Sequence, residues 1–144
     1  MRTPWSIIPL LGQGATEYAA GSIPLVRART LTITVKGYFS AGSIADTQIN
    51  LLYSPDGNNL DTVAYANIAL PFTAATTVQR TLLCDPPEHG YMFVQLVNDD
   101  AVGDVSIIKI WYTIQSWDDI GADNLAIALM KALDKEKHEE TGQP

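Results

Sequence analysis

The sequence holds one cysteine, two histidines, and nine Lys or Arg residues against sixteen Asp or Glu. Each shortage removes a class of protein. A single cysteine cannot close a disulfide within the chain, so a small disulfide-stapled secreted scaffold is excluded. A net charge of −7 repels a phosphate backbone, so nucleic acid is not expected as a partner, although residues 1–40 carry Arg2, Arg27, Arg29 and Lys36 against Glu17 alone. No apolar run approaches the ~20 residues a membrane-spanning helix needs, so no membrane partner is expected either. Near the amino end, Pro9 and Gly12 break the patch Ile7-Ile8-Pro9-Leu10-Leu11, which therefore does not read as the apolar core of a secretion signal.

Catalytic chemistry is equally thin. Cys84 and His89 flank the Pro86-Pro87 turn and could meet as a thiolate pair, but a cysteine ending an apolar strand reads as a small core residue. His138 lies among Lys137, Glu139 and Glu140 as a solvated side chain. Gly21-Ser22 and Gly42-Ser43 lack the trailing glycine of a nucleophile elbow, and Gly12-Gln13-Gly14 lacks the later glycine and lysine of a phosphate cradle. The acidic loops Asp56 to Asp61 and Asn98 to Asp104 lack the ligand spacing of an EF-hand, and Asp, Asn and Gly are what tight turns select. Calcium at Asp56 to Asp61 stays open. The expectation is a protein that is not an enzyme and has no cofactor and no resident metal.

What the chain does have is a core. With 144 residues, 47% of them hydrophobic and 17% charged, it suits one compact domain. Leu31, Ile33 and Val35 alternate with Thr32, Thr34 and Lys36, a period of two that predicts a half-buried strand. Ile49, Leu51 and Tyr53 predict a second, ended by the turn cluster Ser54-Pro55-Asp56-Gly57-Asn58-Asn59. Val63, Tyr65 and Ile68 suggest a short return strand, and Val78 to Cys84 a further one. Beyond Asp85 to Gly90, Met92, Val94 and Leu96 share one face and Tyr91, Phe93 and Val97 the other, as in a central strand covered on both sides. The last strand, Val105 to Gln115, puts Ile108, Ile110, Tyr112 and Ile114 on its core face, with Lys109, Thr113 and Gln115 opposite, beside Ile107 and Trp111.

After Asp119 the period lengthens to about 3.6, where Leu125, Ala126, Leu129, Met130 and Leu133 form one stripe. A carboxyl-terminal helix is predicted, capped by Asp123 or Asn124 and favoured at its end by Lys131, Lys135 and Lys137. Strands separated by turn clusters, with no alternating helices, predict a mainly β fold: an antiparallel β-sandwich or jelly-roll-like barrel with an extended amino-terminal arm. The expected division is an arm over 1–24, a sandwich body over 25–118, and a helix and polar tail over 119–144. On this division the body folds without the arm.

Prolines 4, 9 and 24 and glycines 12 and 14 forbid a long helix in the arm, while Trp5, Ile7, Ile8, Leu10 and Leu11 require burial. Those five are the expected assembly contacts, an apolar arm laid on a neighbouring subunit. Aromatic side chains offer a different reading, a carbohydrate- or ligand-binding β-sandwich module whose flat amphipathic rings face a sugar, carried mainly by Trp111 and Tyr38.

The stretches Leu31-Thr32-Ile33-Thr34-Val35-Lys36-Gly37-Tyr38, Leu51-Leu52-Tyr53-Ser54-Pro55-Asp56-Gly57 and Asp61-Thr62 resemble small sandwich proteins of tailed-bacteriophage virions, the head decoration proteins among them. This resemblance implies a structural protein of the virion, made in the host cytoplasm. It would attach to or stabilise a capsid or tail surface through its arm and sandwich edges. The implied partners are further copies of itself in a homo-oligomer and other virion proteins such as the major capsid protein.

Overall fold

The computed structural model describes residues 2–117, and the helix expected over 119–144 lies outside them. Nine strands are present among the described residues: β1 Ser6–Leu11, β2 Thr16–Tyr18, β3 Ile23–Val26, β4 Ala28–Phe39, β5 Thr47–Ser54, β6 Ala66–Leu70, β7 Thr76–Cys84, β8 His89–Asn98 and β9 Val105–Ser116. One sheet has the order β1-β9-β4-β7; the other has β2-β8-β5-β6, with β3 pairing the same edge of β8 as β2. Every pairing is antiparallel. All connections except β2 to β3 and β5 to β6 cross from one sheet to the other, the interleaving of a jelly-roll sandwich.

The core lies between the sheets. From the four-stranded sheet come Leu11, Leu31, Ile33, Phe39, Ile108 and Ile110; from the other come Ile23, Ile49, Leu51, Leu70, Met92 and Leu96, all fully buried. Burying a side chain of this size contributes roughly 1.5–3 kcal/mol, so these two faces supply the main cohesion of the fold. The alternation expected for β4 and β9 is observed. Val63 and Tyr65, expected in the short return strand, precede β6 and are exposed. β8 is central as expected, but the face carrying Tyr91, Phe93 and Val97 is only partly covered.

The largest correction concerns residues 1–24. They are not an arm outside the sandwich but supply β1, β2 and part of β3. β1 pairs with β9 from Ser6↔Ile110 to Leu11↔Val105, and β2 pairs with β8. Ile8 and Leu11 are buried in the core, so neither is available as an assembly contact. The physical reason is the pattern around Pro9. A proline suits an edge strand, where its missing N–H interrupts no central ladder, and β1 is an edge. Trp5 packs edge-to-face on Tyr112 with ring centroids 5.1 Å apart, and its backbone N–H donates to Ile110 O at 2.8 Å. Of the five expected contacts, Ile7 and Leu10 are the exposed ones.

The β4–β9 ladder contains an irregularity that shapes its outer surface. Lys36 pairs with Lys109 and Tyr38 with Ser106, so β9 carries one extra residue in this interval. Ile107 sits there with φ +51°, a left-handed backbone that a β-branched residue rarely adopts, and its side chain is thrown outward.

Candidate ligand-binding face

The outer face of the four-stranded sheet follows from the strand period. Because Leu31, Ile33 and Val35 point inward, Thr32, Thr34, Lys36 and Tyr38 point outward; because Ile108 and Ile110 point inward, Lys109, Trp111 and Thr113 point outward. Pairing then sets them side by side: Thr32 opposes Thr113, Thr34 opposes Trp111, and Lys36 opposes Lys109. On the other flank Thr34 opposes Thr81, with their hydroxyls 2.9 Å apart, and Lys36 opposes Gln79. The result is a shallow surface of hydroxyl, amide and ammonium groups with Trp111 near its centre and Tyr38 toward one end.

Trp111 is held at its edge. Its indole Nε1–H donates to Arg2 O at 3.2 Å, and Arg2 Nη1 donates in turn to Thr113 Oγ1 at 2.8 Å. The partly buried indole borders two hollows. One, about 540 Å³, is bounded by Arg2, Trp5, Pro24 and Tyr112, and the other by Arg2, Thr34 and Gln79. The first falls within the size range of small-ligand sites. A third hollow, formed by Lys36, Tyr38, Thr77, Ile107 and Lys109, continues along the same face and is walled by the bulged Ile107.

Three other aromatic side chains are occupied differently. Tyr53 and Tyr65 donate their hydroxyls to His89 O and Asp85 O. The Arg29 guanidinium lies 5.3 Å from the centre of the Trp117 ring, a cation–π contact.

Neither acidic loop is arranged as a cation cage. Asp56 accepts from the backbone N–H groups of Asn58 and Asn59 and from Asn59 Nδ2 and Ser54 Oγ, and these donors, led by the Asn59 N–H, hold its carboxyl below the usual range. Asp100 is likewise surrounded by backbone donors. A carboxylate ringed by N–H groups folds its own loop. Cys84 is half-buried, and burial followed by the nearby Asp85 charge pushes its thiol up, opposite to what a thiolate nucleophile needs.

Sequence reasoning placed Trp111 and Tyr38 correctly off the core, but it did not find Arg2, Gln79 or the Lys36/Lys109 pair as parts of one surface. The alternation that turns Lys36 and Lys109 outward was visible; their adjacency to each other and to Gln79 was not, because it depends on β4 lying between β9 and β7.

No protein-family model matches the sequence, and no curated protein matches it. Solved structures do. A family 16 carbohydrate-binding module is 18% identical at a TM-score of 0.47, over 75% of this chain and 85% of that one. A CBM4 protein is 14% identical at a TM-score of 0.52, over 72% of this chain and 67% of that one. The chain shares its sandwich fold. The enzymatically active domain of a bacteriophage CBA120 tailspike protein is 13% identical at a TM-score of 0.44, over 69% of this chain and 13% of that one. These comparisons carry the likeness to phage decoration proteins no further than the β-sandwich itself.

Proposed function

We propose that this chain is a non-catalytic carbohydrate-binding β-sandwich module that takes a glycan on the outer face of its four-stranded sheet. The observation that carries this reading is the placement of Trp111 and Tyr38 on one surface, joined by a row of Thr, Gln and Lys side chains. Sugars present apolar C–H faces and hydroxyl rims. A fixed indole matches the first and an array of donors and acceptors the second. The fold shared with a carbohydrate-binding module supports the reading.

Affinity electrophoresis of the full chain through gels containing single polysaccharides tests it. At least one polysaccharide should retard the protein. Trp111→Ala should abolish the retardation and Tyr38→Ala should weaken it, with melting temperatures close to wild type. Retardation that survives Trp111→Ala would place the ligand elsewhere on the molecule.

A second reading, attachment to a larger assembly such as a virion, is favoured by one observation: Ile7 and Leu10 on edge strand β1 are each 55% exposed. An edge with outward apolar side chains suits a protein neighbour, a further copy or a capsid protein. Light scattering of wild type against Ile7→Asp/Leu10→Asp checks it; a wild-type monomer that fails to bind particles removes it.

A further inference from the structure

The charged side chains on the strands of the four-stranded sheet are all cationic. The chain carries −7 overall, yet β1, β4, β7 and β9 together contain Arg29, Lys36, Arg80 and Lys109 and no Asp or Glu. Two of these cations leave the outer face. Arg80 donates to Ala69 O on the opposite sheet, and Arg29 lies over Trp117. Lys36 and Lys109 stay, directly opposed in the β4–β9 register, with Tyr38 on one side and Trp111 on the other. Arg2 adds a third cation beyond Trp111.

Like charges set opposite each other in an antiparallel ladder disfavour the fold, since their Cβ atoms sit about 4.5–5.5 Å apart. Neither lysine forms an ion pair with an acidic side chain among the described residues. A neutral glycan does nothing for this repulsion. An anionic group lying between the two ammonium groups removes it and gains charge-assisted hydrogen bonds from both.

We propose that the glycan bound on this face is acidic, a polysaccharide bearing a carboxylate or sulfate group on its sugars. The anion lies between Lys36 Nζ and Lys109 Nζ, and a neighbouring ring packs on Trp111. Trp111 is two residues beyond Lys109 along β9, about 6.8 Å at the usual strand rise, within reach of an adjoining sugar. The proposal rests on the glycan-binding reading and narrows it. Nucleic acid fits less well, because tight binding draws on roughly 6–10 neutralised phosphates, and three cations on an acidic body supply few.

The test is isothermal titration of the full chain with polygalacturonate, dextran sulfate, neutral dextran, neutral xylan and single-stranded poly(dT), at low and high salt. An acidic glycan should bind more tightly than the neutral ones and weaken as salt rises. The first two ligands distinguish carboxylate from sulfate. Lys36→Gln/Lys109→Gln should weaken acidic-glycan binding about tenfold or more, with each single variant intermediate. The double variant should melt no lower than wild type, because a repulsion has been removed. Binding of a neutral glycan that needs Trp111 but ignores both lysines would overturn the charge assignment and leave the module reading intact. Absence of binding to all four glycans would overturn both. Binding of poly(dT) as tight as that of the acidic glycans and indifferent to Trp111→Ala would make the face a general polyanion site and also overturn the proposal.

Discussion

Asp100 Oδ2 accepts the backbone N–H of Ile44 at 2.6 Å across 56 residues of sequence. The same carboxylate accepts from Ala45, Val102 and Gly103, while the neighbouring Asn98 donates through Nδ2 to Leu11 O, Gly12 O and Gly103 O. Two side chains thus tie the β1–β2, β4–β5 and β8–β9 connections together. The Ile44 N–H and then the Val102 N–H outweigh burial and bring the Asp100 carboxyl from 3.8 down to about 2. A pKa lowered on folding contributes stability that is complete above the unfolded value and is lost as pH falls through the folded one. The melting temperature should therefore drop as pH falls from about 4 to about 2. Asp56 acts in the same direction, so the informative comparison is Asp100→Asn against wild type by calorimetry across that range. The variant should melt lower at neutral pH and show a shallower acid loss.

Removing residues 1–24 should abolish cooperative unfolding, because it strips β1 from β9 and takes Leu11 and Ile23 from the core. Circular dichroism with urea titration checks this. Leu11→Ala alone should cost about 2–5 kcal/mol, whereas the exposed Leu10→Ala should cost within about 0.5 kcal/mol. A truncated chain that melts cooperatively would restore residues 1–24 as a separable arm.

At the β9 bulge, Ile107 combines a φ of +51° with 60% exposure. Ile107→Gly relieves a backbone strain of about 1–3 kcal/mol and loses little burial, so stability in urea should stay level or rise by about 1 kcal/mol. Ile108→Gly, one residue on and fully buried, should be severely destabilised. A clear loss of stability in Ile107→Gly would mean that its contacts beside Tyr38 outweigh the strain.

Gly90 has φ +104°, and a Cβ there would collide with the Tyr53 hydroxyl and stand 2.8 Å from Ser54 O. Gly90→Ala should therefore displace Tyr53, break its hydrogen bond to His89 O and lower the urea midpoint, at a cost of at least about 1–3 kcal/mol. Intrinsic tyrosine fluorescence reports the displacement.

Cys84 should react slowly with a disulfide reagent at mildly alkaline pH in the folded protein and fast in denaturant, because burial and Asp85 both disfavour its thiolate. Cys84→Ala should leave glycan binding unchanged. A fast folded-state reaction would reopen a chemical role for this thiol.

The period of two in Leu31 to Val35 and in Ile108 to Ile114 determined, without any structure, which side chains enter the core and which face water. It therefore set Lys36, Tyr38, Lys109 and Trp111 on non-core faces. The turn clusters likewise marked where β5 and β8 end, since Asp, Asn, Pro and Gly carry their preferred backbone angles wherever they stand. β1 escaped notice because Pro9 breaks its alternation, and β2 because three residues hold too little pattern to register as a period. Only the tertiary structure decided that β9 lies between β1 and β4, setting Trp111 opposite Thr34 and Lys109 opposite Lys36. Facing is a local property of the strand. Adjacency comes from pairing strands far apart in sequence, as β4 with β9, which no window of sequence contains.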